Sequence, residues 1–333
     1  MLQKMILAAA AILLALGAPV RAEPVTIKVG WVVLTSSSVP LSLEKPELLH
    51  NEGKSYHIEP VLIRSTSAMV TALATGDVDV GTLAYSTLAF AVLNAKLEDL
   101  RVITGVMEDG TGNAATGHFM VLKDGPVKTV ADLKGKVIAS LAGGSAVDIA
   151  IRARLKKNGL DDKKDVTIVE SQFSNMKAML MSHRADLVAI SVPYNFDPEV
   201  VENATDLFTQ KQAMGGSQLL VWGSRQPFLT AHRAAIVDFL EDSLRVTRYL
   251  TDPVHHDEVV QIVAKGMKQP PEYFADWLFT PKDFYRAPDG MPNLPVLQAN
   301  IDLEHDLGFI DRTIKVHDYT DLSYVEEAAA RFK

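Results

Sequence analysis

The chain has 333 residues, 47% of them hydrophobic and 22% charged, with a formal net charge of −8 and no cysteine. These values fit a soluble globular protein with room for two domains of ordinary size. They exclude disulfides, thiolate metal sites and a cysteine nucleophile, and the evenly spread acidic excess argues against nucleic acid, which wants a basic face.

The N-terminus reads as an export leader. Lys4 supplies a positive start, Ile6 to Gly17 is an unbroken run of apolar and small residues, and Val20-Arg21-Ala22 offers a cleavage site before Glu23. The run falls short of the ~20 residues that span a bilayer, although a signal anchor is the alternative reading. Without Lys4 and Arg21 the mature chain holds 31 basic and 41 acidic residues, a net charge of −10. No cysteine is present for lipid attachment, so an exported protein of this kind stays with its cell only inside an outer membrane. A periplasmic location is expected.

Val25 to Val29 alternates as a first strand and runs into Gly30-Trp31, then into a polar turn from Leu34 to Pro40 that includes Ser37. A helix is expected from about Leu41 to Asn51, and a second strand over Ile58 to Ile63. Ser65, Thr66 and Ser67 can cap a helix whose Met69, Val70, Leu73 and Ala74 fall at helical spacing, and Gly76 is placed to stop it. Val78 and Val80 alternate with Asp77 and Asp79 as a short strand that Gly81 breaks. The polar run Thr82 to Thr87, with Leu83, Ala84 and Tyr85, then leads into a helix over Leu88 to Leu93. Two strand-to-helix turns so stand side by side, at the carboxyl ends of strands where open α/β sheets bind ligands.

Strands are expected over Leu100–Val106 and Gly117–Leu122, the second carrying His118, and again near Val137–Ala139. Ala142 to Asp148, with Gly143, Gly144, Ser145 and Ala146, opens a helix through about Leu155. Gly159 ends it, and Val166 to Val169 forms the next strand. Ala178 to Ala189 echoes the earlier helix, turn, Asp and apolar strand: Asp186 corresponds to Asp79 and Tyr194 to Tyr85, while His183 takes the place of Gly76. Gln218 to Trp222 reads as a returning strand. Helices are expected near 231–250, 257–267, 271–279 and 294–307.

Several of these strings resemble one family. Ala72-Leu73 followed by Gly76-Asp77-Val78-Asp79-Val80-Gly81 is similar to a signature of the solute-binding proteins that serve nitrate, taurine and sulfonate importers and include binders of thiamine precursors. Val130-Ala131-Asp132-Leu133-Lys134-Gly135-Lys136-Val137-Ile138-Ala139 resembles the start of the family's second lobe and is the most specific match. Gly223-Ser224-Arg225-Gln226-Pro227-Phe228-Leu229, Leu307-Gly308-Phe309-Ile310 and Leu322 to Ala328 resemble its later segments.

The resemblance implies an α/β, type II periplasmic-binding-protein-like fold, two α/β lobes joined by a two-strand hinge. Residues 1–22 would be the leader, 23–117 with 219–333 the first lobe, and 118–218 the second. It further implies a ligand-binding component of an ABC importer, without catalysis, cofactor or metal, acting as a monomer with an inner-membrane permease and a separate ATPase. The residues expected at ligand are Trp31, Ser37, Ser65, Thr66, Leu83, Ala84, Tyr85, His118, Gly144, Ser145, Ala146 and Tyr194. Helix starts and hydroxyls favour a small organic anion, a sulfonate or carboxylate, and Trp31, Tyr85 and Tyr194 would suit an aromatic or alkyl body.

Other readings stay open on the residues themselves. A tryptophan placed like Trp31 is more often core than a ligand platform, and Gly143 to Ala146 also reads as a plain helix cap. Asp79 and Asp186 suit turn capping better than acid–base work, and the adjacent His255-His256 lacks metal-ligand spacing. Arg64 either pairs with an acid or points to solvent. A thiamine-pyrimidine protein of the same fold is one rival; its biosynthetic members rely on a cysteine-rich iron site that this chain cannot build. A sensory binding protein that hands its ligand to no permease is another.

Overall fold

Four strands, β1 (Val25–Trp31), β2 (Tyr56–Leu62), β3 (Val80–Ala84) and β4 (Leu100–Asp109), are followed by five more in a separate sheet, β5 (His118–Leu122), β6 (Val137–Ser140), β7 (Thr167–Glu170), β8 (Leu187–Ile190) and β9 (Ala204–Thr209). Strand β10 (Ser217–Arg225) then returns to the first group. The sheet orders are β2-β1-β3-β10-β4 and β7-β6-β8-β5-β9. This computed structural model describes residues 23–112 and 116–332; the expected leader and its cleavage site lie outside the described residues.

The two sheets share one plan. In the first, β1 runs parallel to β2 and β3, while β10 lies antiparallel to both β3 and β4. In the second, β6 runs parallel to β7 and β8, while β5 lies antiparallel to β8 and β9. The parallel strands are linked by crossover helices, as parallel pairs require: α1 (Thr66–Thr75) in the first sheet and α4 (Phe173–Met181) in the second. The antiparallel intruders, β10 and β5, are the strands that arrive from the other half. The remaining main helices are α2 (Tyr85–Leu93), α3 (Ala146–Lys157), α5 (Arg233–Thr251), α6 (His256–Met267), α7 (Leu294–Asp306) and α8 (Ser323–Ala330).

The echo between Asp79 and Asp186 is structural. Asp79 accepts the Lys28 N–H at 2.9 Å while its own N–H donates to the Lys28 carbonyl, and Asp186 makes the same pair of bonds with Val137. Each carboxylate ties the start of a β3-type strand to its parallel neighbour. Gly76 ends α1 at φ +77°, and His183 takes the same left-handed turn at φ +57° after α4. Gly30 and Gly81 let α1 sit on the sheet: a Cβ on Gly30 would meet Met69 Sδ at 2.4 Å, and one on Gly81 would meet Met69 Cγ at 2.9 Å.

The local sequence reading misses in four places. The helix expected over 41–51 is instead two short turns, Ser38–Ser42 and Pro46–Leu48. Pro46 has no N–H to continue a helix and pushes Lys45 out of helical geometry, to φ −133° and ψ 61°. Gly81 does not break β3, which runs on to Ala84 with every residue buried; a strand buried on both faces needs no alternation. The expected helix over 271–279 is one 3-10 turn, Pro271–Tyr273, followed by irregular chain. Strand β9, with polar Thr205 and Asp206 near its start, carries too little apolar pattern to be read from sequence.

Candidate functional site

A cavity of about 940 Å³, counted out to its open mouth, lies between the two halves. Its wall is mainly apolar. Val32, Val33, Met107, Leu219, Leu220 and Phe284 come from the first half, and Phe119, Leu141, Val147, Phe173, Ile190 and Val192 from the second. The polar groups are few: Thr35, Ser65, Thr66, Asp109, His118, Ser145, Ser191 and Gln210.

Two helices open into this space from opposite halves. Ser65, in extended geometry, caps α1 by accepting the Ala68 N–H at 3.1 Å, and Ser145 caps α3 by accepting the Asp148 N–H at 3.3 Å. The N–H groups of Thr66 and Ser67 in α1, and of Ala146 and Val147 in α3, find no acceptor among the described residues. The first turn of a helix leaves such donors over by construction. Together with the helix dipole they favour a negative ligand atom. Thr66, Ala146 and Val147 line the cavity itself.

The floor is made by the two chain crossings. Asp109, at the end of β4, accepts from Thr116 Oγ1 at 2.7 Å and from the Gly117 N–H at 2.8 Å. The Gln210 N–H donates to the Gly117 carbonyl at 2.8 Å, so one crossing is bonded to the other. Burial pushes the Asp109 carboxyl up to about 6, against the pull of these two hydrogen bonds and of His118 and Lys211. His118 Nδ1 bonds the Asp206 carboxylate at 2.9 Å and makes no hydrogen bond to Ser145 or another lining hydroxyl among the described residues. No lysine or arginine lines the cavity, and no cluster of metal-ligating side chains occurs among the described residues.

Of the residues expected at ligand, Ser65, Thr66, Ala84, His118, Ser145 and Ala146 line this cavity. The other six stand elsewhere. Tyr85 is fully buried beneath it; its hydroxyl accepts from Gln210 Nε2 at 2.9 Å and donates to the Ala146 carbonyl at 3.4 Å. Leu83 is core. Trp31 is half-buried and its neighbours Val32 and Val33 line in its place. Ser37 caps the Ser38–Ser42 turn and lines a smaller neighbouring cavity. Gly144 is exposed at φ +75°, its N–H held by Asp148, and Tyr194 packs against the core of the second half. Arg64 is exposed.

Asp109, Gln210 and Phe284 are lining residues that the sequence reading passed over. Asp109 carried a usable signal, an acidic residue closing a Val- and Ile-rich strand ahead of glycines. Phe284 carried none, because it arrives on irregular chain from a distant part of the sequence.

Contacts also bridge the halves around the cavity. Ser67 Oγ donates to the Gly143 carbonyl at 3.1 Å, Lys156 Nζ donates to the Leu307 carbonyl, and Phe196 stacks on Trp277 with ring centroids 5.3 Å apart.

The fold has many solved relatives. The alkanesulfonate-binding protein SsuA from Xanthomonas axonopodis pv. citri, bound to MOPS, superposes with a TM-score of 0.68 at 20% identity over 90% of this chain and 99% of that one. The periplasmic nitrate-binding protein NrtA from Synechocystis PCC 6803 gives 0.70 at 15% identity over 93% and 90%. The desulfurization enzyme DszB gives 0.63 at 13% identity over 93% and 100%. At these identities the likeness is one of fold, which hosts both binding proteins and an enzyme. No curated protein sequence matches the chain. The "NMT1/THI5 like" family model matches residues 64–253, a stretch that takes in α1, the whole second sheet and both crossings. The chain therefore belongs to the NMT1/THI5-like family.

Proposed function

We propose that the protein is the periplasmic substrate-binding component of an ABC-type importer. It captures a small organic anion, a sulfonate or carboxylate with an apolar or aromatic body, and delivers it to a membrane permease worked by a separate ATPase. Residues 23–117 with 219–333 act as one lobe and 118–218 as the other, hinged at the two crossings. The observation that carries this reading is the set of N–H groups at the starts of α1 and α3 that find no acceptor among the described residues, come from different lobes and stand at one apolar cavity. A negative head held by both helix starts would draw the lobes together, a known form of domain closure. The periplasmic relatives and the absence of any membrane-spanning helix among the described residues agree with it.

Titration calorimetry with alkane- and arenesulfonates and the matching carboxylates tests the reading; saturable one-to-one binding is expected. Mass spectrometry of the released compound tests the non-catalytic part. The likeness to DszB is the observation that favours an enzyme, and recovery of a desulfonated product would establish that alternative. The missing thiol, and the pairing of His118 with Asp206 rather than with a lining hydroxyl among the described residues, favour unchanged release.

A further inference from the structure

The cavity's two poles carry opposite preferences. The start of α1 presents N–H donors with no acceptor among the described residues, whereas Asp109 presents a carboxylate, and these two lie toward opposite margins of the first sheet. Chain leaves β2, one outer strand, to enter α1; Asp109 ends β4, the other outer strand. Asp109 is 1% exposed, and Thr116 and Gly117 hold its oxygens in place. Its buried carboxyl titrates near 6 and so is charged at neutral pH.

No lysine or arginine among the described residues lines the wall beside it, and the two cations that act on Asp109, His118 and Lys211, have partners of their own. His118 is paired with Asp206, and Lys211 Nζ is spent on the Gly112 carbonyl. Arg286 lies behind Thr35 and Met107 with its guanidinium committed to Asp283. The wall between the poles is apolar, and an apolar surround strengthens any charge–charge interaction.

We infer that Asp109 is a specificity-determining residue: it restricts the cavity to ligands with a single negative pole and rejects those carrying a second one at the opposite end. The inference rests on the anion-binding reading for the orientation of the ligand, though not for the sign of the Asp109 pole. A second carboxylate there would face a like charge with no intervening cation.

The test is calorimetry at pH 7.5 with three biphenyl-4-sulfonates that differ only at the 4′ position: methyl, carboxamide and carboxylate. The methyl and carboxamide compounds are expected to bind within about threefold of each other, and the carboxylate at least ~10-fold more weakly. In Asp109→Asn, which keeps one acceptor oxygen for Thr116 or Gly117, the carboxylate penalty should shrink below about threefold. Equal affinity of all three for the wild type overturns the inference. So does rejection of the carboxamide as strong as that of the carboxylate, a result that needs no variant to fold. An undiminished penalty in an Asp109→Asn protein that melts like wild type overturns it too. A fourth probe, 4′-methylbiphenyl-4-ylmethylammonium, separates the two readings. If it binds while no sulfonate does, the anion reading falls and the single-negative-pole rule falls with it, leaving only Asp109 as a negative pole of the cavity. If no probe binds, both fall.

Discussion

Asp242 shows how one buried charge organises a lobe. It is wholly buried on α5, accepts from the Tyr56 hydroxyl at 2.8 Å and the Asn51 N–H at 2.7 Å, and pairs with Arg245. Burial, reinforced by Asp242, holds the Tyr56 phenol well above its ordinary range, so it remains a donor. Asp242→Ala should cost about 3 kcal/mol, because Tyr56, Asn51 and Arg245 each lose a partner in a dry place; urea unfolding would reveal it. A loss under about 1 kcal/mol would mean that these donors find other acceptors.

Glu304 is buried on α7, its Oε1 has no hydrogen-bond partner among the described residues, and burial pushes its carboxyl from 4.5 up to about 8. The unfolded chain gives up this proton near pH 4.5 and the folded chain only near pH 8. Between those values the folded state binds more protons, so this group's contribution to stability declines as pH rises through the window and is level beyond it. The total is on the order of 5 kcal/mol at most, because each tenfold change in proton affinity is worth about 1.4 kcal/mol. Glu304→Gln should remove that slope, and melting curves at pH 5, 6.5 and 8 will test it; a slope identical to wild type would place the pH dependence elsewhere.

Among elements, the start of α3 offers the cleanest probe of the proposed anion site. The Ser145 N–H already donates to the Ala142 carbonyl at 3.1 Å, so proline there would break a turn rather than remove a ligand contact. The next position is better. The Ala146 N–H has no acceptor among the described residues, proline is tolerated at the first helical residue, and Ser145 at φ −69° and ψ 159° already has the geometry that precedes proline. Ala146→Pro should melt within a degree or two of wild type and lose about 1.5–3 kcal/mol of affinity for a sulfonate, the usual worth of a hydrogen bond to a charged group. Full affinity in a folded Ala146→Pro protein would take α3 out of the site.

At the scale of the whole molecule, the Phe196–Trp277 stack is where chain following β8 meets chain following α6 across the cleft. Trp277 is buried in core, whereas Phe196 remains 37% exposed. Phe196→Ala should leave the melting temperature near wild type and speed ligand release by roughly two- to tenfold, the equivalent of the ~0.5–1.5 kcal/mol an aromatic pair contributes. Stopped-flow fluorescence of Trp277 would follow it. Release at the wild-type rate would show that holding the two halves together around ligand does not depend on this stack.

Much of this molecule was legible in the chain because local chemistry specifies it. The caps at Ser65 and Ser145, the stop at Gly76, and the parallel between Asp79 and Asp186 each depend on neighbours within a few residues or on one repeated strand–helix–strand pattern. Family strings then extended the reading to two lobes and a double crossing. What the sequence could not determine is which of those residues face one another. Tyr85 and Ser145 look alike as polar groups at helix starts, yet Tyr85 is wholly buried, its hydroxyl bonded to Gln210, 125 residues away. Asp109 and Phe284 join the same wall from β4 and from irregular chain far downstream. That convergence follows from two separate sheets facing one cavity. The order of strands and the way the two halves meet set it, and neither is encoded in any single stretch.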